Sequence, residues 1–92
     1  MKKAIVIGSG FSGLSTAAFL AKSKFKVTII EKNKQLGGRA RMLKENGFSF
    51  DMGPSWYWMP DIFDNFFEEF NLQTNNFYKL IKLDPGFRMI FD

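Results

Sequence analysis

The sequence Lys3-Ala4-Ile5-Val6-Ile7 runs straight into Gly8-Ser9-Gly10-Phe11-Ser12-Gly13. A continuous apolar, β-branched run suits a parallel strand covered on both faces. The glycines that follow are spaced G-x-G-x-x-G, the pattern of a tight turn that feeds a strand into a helix. Gly8 permits the turn. Gly10 leaves room for a phosphate group that any Cβ would meet, and Gly13 lets the helix lie close to the strand. Such a turn also aims a helix N-terminus at negative charge. An ordinary strand-to-helix turn can carry the same three glycines, so the segments downstream decide between the two.

From Ser12 to about Ser23 the apolar period changes to that of a helix, with Leu14, Ala17, Ala18 and Ala21 on one face. Val27-Thr28-Ile29-Ile30 is the next strand, ending at Glu31. Strand, helix and strand within about thirty residues make a right-handed βαβ unit. The helix is predicted to stop at Ser23-Lys24; helix ends often use Gly in the left-handed conformation, and Lys24 in that conformation would cost on the order of 1 kcal/mol relative to Gly. Glu31 falls eighteen residues after Gly13, close to the ~20 expected of an acid that accepts hydrogen bonds from an adenosine ribose. A carboxylate there also repels a 2′-phosphate, which disfavours NADP. These features fit FAD and NAD equally. Gly37-Gly38-Arg39 tilts the balance toward FAD by offering a second close backbone approach and a guanidinium for the phosphates.

Further on, Arg41 to Phe50 reads as a β-hairpin turning at Asn46-Gly47, with Phe48 and Phe50 alternating around Ser49. Pro60 opens a helix running to about Phe70, whose apolar stripe is Ile62, Phe63, Phe66, Phe67 and Phe70. Lys79–Leu83 and Phe87–Phe91 read as two strands joined through Asp84-Pro85-Gly86. Two parallel strands do not complete a doubly wound sheet. The expectation is therefore the N-terminal part of a longer chain that needs the rest of itself to close the fold.

The 92 residues include no Cys and no His. Disulfides, thiolate chemistry and any Ser-His-Asp or Cys-His arrangement are thereby excluded within them, and no metal site is expected. The net charge of +4 is uneven: +9 up to Lys44 and −5 from Glu45 onward. A basic half can serve nucleic acid, but the lysines here flank buried elements. A solvated basic face beside a phosphate site or an anionic membrane accounts for them, and no nucleic-acid partner is expected. Met1-Lys2-Lys3 and the short apolar run after it fall short of a signal peptide. No stretch approaches the ~20 apolar residues of a membrane span.

Gly8-Ser9-Gly10-Phe11-Ser12-Gly13, Glu31, Gly37-Gly38-Arg39-Ala40 and Gly47-Phe48-Ser49-Phe50-Asp51-Met52-Gly53-Pro54, in this order, resemble the N-terminus of FAD-dependent amine oxidase-like flavoproteins. Within that superfamily, Phe50 to Pro54 followed by Ser55-Trp56-Tyr57-Trp58-Met59-Pro60-Asp61 resembles bacterial carotenoid desaturases of the phytoene desaturase type. The resemblance implies a Rossmann-like FAD-binding α/β domain, opening with the βαβ unit and followed by the hairpin, the helix and the start of an antiparallel substrate-domain sheet. It implies that Gly8, Gly10, Phe11, Ser12 and Gly13 approach the pyrophosphate, that Glu31 with Lys32 meets the adenosine ribose, and that Gly38 and Arg39 lie along the pyrophosphate and ribityl chain. Gly53 and Pro54 would lie near the isoalloxazine ring. Two roles stay open for Trp56, Tyr57 and Trp58: walls of a polyene tunnel, or packing beneath the flavin.

The activity so implied is desaturation of phytoene or a similar carotenoid precursor, with hydride transfer to flavin. No catalytic residue is assigned. The substrate is a lipophilic polyene, and the location is cytoplasmic with peripheral membrane association. Other flavoenzymes of the superfamily (a carotenoid isomerase, ketolase, saturase or amine oxidase), an NAD-dependent dehydrogenase and a non-catalytic product are the competing readings.

Overall fold

The computed structural model describes residues 1–53 and 56–91. Strands β1 (Lys3–Ile7) and β2 (Lys26–Ile30) pair in parallel, Lys3 opposite Lys26 and Ile7 opposite Ile30. A parallel pair needs a long crossover, and helix α1 (Phe11–Lys22) provides it. Side chains alternate across a strand. In β1, Ala4 and Val6 are half-buried, while Ile5 and Ile7 stand exposed at 66% and 84%. The helix lies over the Ala4 and Val6 face, where a Cβ on Gly13 would sit 3.5 Å from Val6 Cγ1. Ala17 of α1, 6% exposed, is the buried apolar residue of this layer.

Cover on both faces of β1 was expected from its sequence, and the structure corrects that expectation. A single βαβ unit brings one helix, and one helix covers one face. The continuous apolar run therefore leaves Ile5 and Ile7, with Ile30 of β2, on an uncovered side.

Strands β3 (Met42–Glu45) and β4 (Phe48–Asp51) form the expected antiparallel hairpin, Glu45 opposite Phe48 and Met42 opposite Asp51. Asn46 and Gly47 both have positive φ, 52° and 80°, as a two-residue type I′ turn requires. The chain divides into two compact units, Met1–Tyr57 and Trp58–Asp92. The mixed α/β class, the parallel βαβ start and the small antiparallel hairpin all agree with the sequence expectation.

In the second unit, helix α2 (Pro60–Glu68) begins with Pro at its first turn. Beyond it, Leu72 N–H donates to Phe67 O and Asn71 N–H to Glu68 O, both at 3.0 Å, with Asn71 at φ 58°. This is the paired closure of a helix end around a left-handed residue. The apolar stripe packs on itself and on the chain that follows. Phe66 meets Phe70 at 5.2 Å between ring centroids, and Phe67 stacks on Phe77 at 4.8 Å. A short 3-10 turn, Thr74–Asn76, follows. The two strands expected at 79–83 and 87–91 do not form: no strand occurs among the described residues after Asp51. The β3–β4 hairpin has the Asn46-Gly47 turn to hold its two strands in register, whereas Asp84-Pro85-Gly86 supplies no such two-residue turn between 79–83 and 87–91. No described helix is long and apolar enough to cross a membrane.

Candidate nucleotide-binding site

The glycine turn starts where β1 ends. Gly8 N–H donates to Ile30 O at 2.7 Å, one step past the strand ladder, and Gly8 turns the chain at φ 102°, a conformation that residues with a Cβ rarely adopt. A Cβ on Gly13 would lie 2.1 Å from Gly8 O. The first turn of α1 thus rests directly on the backbone of the turn below it, and only hydrogen fits between. Gly10 is the opposite case. Its nearest prospective neighbour is Gly38 Cα at 4.0 Å, so the space above it is open and walled by backbone. A Cβ would occupy the space left for a ligand, and the residues present therefore fit a phosphate-bearing group.

Gly10 is also the N-cap of α1. No side chain caps that end and no acid lies in its first turn, so nothing on the helix competes with an anion for its dipole. Phe11 and Ser12 open the helix on its exposed side. Ser12 offers its carbonyl to Ser15 Oγ at 3.1 Å.

Glu31 lies directly beyond β2 and is bound from two directions. Its Oε1 accepts from Ser9 N–H at 3.0 Å and from Ser9 Oγ–H at 2.5 Å; its Oε2 accepts from Asn33 N–H at 2.9 Å. The Ser9 hydroxyl above all, then the Asn33 and Ser9 backbone N–H groups and to a smaller extent that of Lys32, hold the carboxyl at a pKa of about 2, against partial desolvation. Hydrogen bonds to the charged form favour that form. Glu31 is thus a fixed anion at the edge of the glycine turn.

The 37–38 loop docks on the same place. Gly37 N–H donates to Ser9 O at 2.8 Å, and a Cβ on Gly38 would come within 3.0 Å of Gly10 Cα. Gly8, Gly10, Gly13, Glu31 and Gly38, well separated in sequence, are brought to one locus. Arg39 and Gly53 meet in an open cleft of about 500 Å³, lined also by Arg41 and Met52. Pro54 lies outside the described residues. Trp56 and Trp58 are exposed.

Two residues at the site escaped the sequence reading. Ser9 is wholly buried and bonds to both Glu31 and Gly37. The parallel register that places Ile7 beside Ile30 brings the next residues of each strand together, and that was the available signal. Arg41 shares the cleft with Arg39, and its Nε is buried without a hydrogen-bond partner. The only sequence signal for Arg41 was nearness to Arg39, two positions earlier, and the turn closed by Ala40 N–H on Gly37 O decides where each of the two points. Among the described residues no cluster of acids could hold a metal ion.

Residues 6–71 match the NAD(P)-binding Rossmann-like domain family. Over 86 residues, 94% of the chain, it is 51% identical to a carotenoid 3,4-desaturase of Haloarcula japonica. It is 40% identical over 91 residues, 99% of the chain, to a phytoene desaturase of Phycomyces blakesleeanus. It is 38% identical, again over 99%, to a 4,4′-diapolycopene oxygenase of a Methylomonas species. The matched stretches make up 17%, 16% and 18% of those proteins, so the chain spans about a sixth of the length of these curated relatives.

Proposed function

The chain belongs to the NAD(P)-binding Rossmann-like domain family, and from that premise we propose that it is the FAD-binding portion of a carotenoid desaturase. Its relatives carry desaturase names across nearly the whole of this chain. The observation that carries the nucleotide site is the meeting of three separate segments on Ser9. The glycine turn contains it, Glu31 accepts from its N–H and hydroxyl, and the 37–38 loop donates to its carbonyl.

In this reading Gly10 leaves the pyrophosphate its place against the backbone, and Phe11, Ser12 and Gly13 present the helix N-terminus to it. Glu31, with Lys32 beside it, takes the ribose hydroxyls. Gly38 closes the cradle from the other side, and the Arg39 guanidinium neutralises phosphate charge. Gly53, which lines a cleft with Arg39, and Pro54 are the residues assigned to the isoalloxazine end. When bound, FAD supplies a two-electron acceptor: a hydride leaves one carbon of the substrate, a proton leaves the next, and a C=C bond forms. The substrate class is a lipophilic polyene precursor such as phytoene. Such a substrate resides in a bilayer, which supports a cytoplasmic enzyme held peripherally at the membrane. Residues 1–71 belong to the cofactor domain and 72–92 begin the substrate domain.

The test is the full-length protein expressed in phytoene-producing cells. Flavin absorbance in the purified protein and conversion of phytoene into coloured polyenes are the expected results. An unchanged phytoene pool, with folded and flavin-loaded protein, overturns the desaturase reading; a folded protein that takes up nicotinamide dinucleotide and no flavin overturns FAD. One observation favours a second reading, since the relatives include a protein named as an oxygenase at 38% identity. Oxygenated polyenes among the products select that alternative.

A further inference from the structure

Ser9 is fully buried and makes three hydrogen bonds to two other segments. Its N–H and Oγ–H both go to Glu31 Oε1, and its carbonyl accepts from Gly37 N–H at 2.8 Å. Oε1 has its two lone-pair directions met by Ser9, and Oε2 accepts from Asn33 N–H at 2.9 Å, so the acceptor capacity left for a ligand is the remaining direction on Oε2. The rotamer of Glu31 is thereby fixed from beneath by a residue that cannot shift without moving the loop ahead of Arg39.

We infer that Ser9 is the positioning residue through which Glu31 selects a free ribose 2′-hydroxyl over a 2′-phosphate. The inference rests on the proposed nucleotide reading and deepens it. A carboxylate held in one place accepts a charge-assisted hydrogen bond from a ribose hydroxyl, and at that same place it repels a phosphate dianion. Without Ser9 the carboxylate is held on its Oε2 side alone, by Asn33 N–H, and can turn about that bond, so both effects weaken together. The depressed pKa of Glu31 accords with this, since the Ser9 hydroxyl is its largest cause.

The experiment titrates the full-length protein, stripped of nucleotide, with ADP and with adenosine 2′,5′-bisphosphate by calorimetry between pH 4 and pH 8. Wild type, Ser9→Ala, Glu31→Gln and the double variant form a cycle. Wild type is expected to prefer ADP. Ser9→Ala is expected to lose about tenfold in ADP affinity, as for a hydrogen bond to a charged group, and to bind the bisphosphate more tightly than wild type does as the repulsion weakens. The preference then narrows, and the loss of ADP binding in acid begins at higher pH. In the Glu31→Gln background Ser9→Ala is expected to cost less than about twofold, since its partner is already changed.

An unchanged preference and acid profile in Ser9→Ala, or an equal loss in both backgrounds, overturns the inference while leaving the nucleotide site standing. Wild-type protein that binds neither nucleotide overturns the site itself, and the inference with it. Ser9→Cys keeps nearly the same volume and a weak donor. It is run beside the alanine variant, so that the same two outcomes decide the matter if Ser9→Ala fails to fold.

Discussion

At the scale of single residues, the glycines of the turn separate folding from binding. A Cβ on Gly13 would lie 2.1 Å from Gly8 O, whereas one on Gly10 would meet nothing closer than 4.0 Å at its ordinary φ of −72°. Gly13→Ala is therefore expected to destabilise the protein by about 3 kcal/mol, the upper range for overpacking a rigid site. Gly10→Ala is expected to leave the denaturation midpoint within ~0.5 kcal/mol of wild type and, on the proposed FAD reading, to abolish flavin content. Chemical denaturation and the flavin-to-protein absorbance ratio check the pair, and equal effects on both measures would contradict the division of roles. Glu31 adds a pH dependence of definite sign. Its folded pKa, about 2, lies below the ordinary value of 4.5. The stability it contributes is present above pH 4.5 and is lost as pH falls toward 2. The urea midpoint of Glu31→Gln should fall less steeply than that of wild type across this window; parallel curves would show that the Ser9 and Asn33 bonds contribute no linkage.

At the scale of elements, the two helices end by the same device with different residues. In α1, Phe25 N–H donates to Leu20 O at 3.1 Å and Lys24 N–H to Ala21 O at 3.0 Å, with Lys24 at φ 70°. In α2 the left-handed place is taken by Asn71, whose short polar side chain tolerates it. Lysine has no such compensation, although the stop at Ser23-Lys24 is legible in the sequence. Lys24→Gly is expected to stabilise by about 1 kcal/mol, seen as a higher melting temperature, while Asn71→Gly should change little; a lower melting temperature for the Lys24 variant would refute the expectation. The hairpin was legible for a similar reason, since Asn46-Gly47 supplies the two positive φ angles its turn needs. The 79–91 segment was not legible. Leu80, Ile81, Leu83, Phe87, Met89 and Ile90 have strand-forming character, yet each is exposed and unladdered. Propensity describes how a residue fits a sheet once neighbours exist; it does not provide the neighbours.

At the scale of the whole molecule, apolar surface is left open. Among the described residues only Ala17 and Ser9 are buried, and Ile5, Ile7 and Ile30 line an uncovered sheet face. Open apolar surface of this kind is prone to interaction, and small chains bury the least of their surface. The 92-residue chain studied alone is therefore expected to bind a hydrophobic dye strongly and to melt over a broad range without a cooperative step. The full-length protein should show neither behaviour. A sharp, cooperative transition in the isolated chain, with no dye binding, would show that these faces need no cover.

What the sequence determined by itself was local. The 3.6 and 2.0 periods, the three glycines and the Asn46-Gly47 turn act over a few residues, and so they set the βαβ unit, the hairpin and the end of each helix. Glu31 was placed because a strand of known length carries its last residue to a fixed spot. What only the tertiary structure decided were contacts between segments far apart in sequence. Ser9 lies 22 positions from Glu31, and its three hydrogen bonds depend on the parallel register and on where the 37–38 loop lands. The bare side of β1 was decided in the same way. The sequence marks both faces as apolar, but which face is covered depends on the number of helices that cross over, and a strand's own residues carry no record of that number.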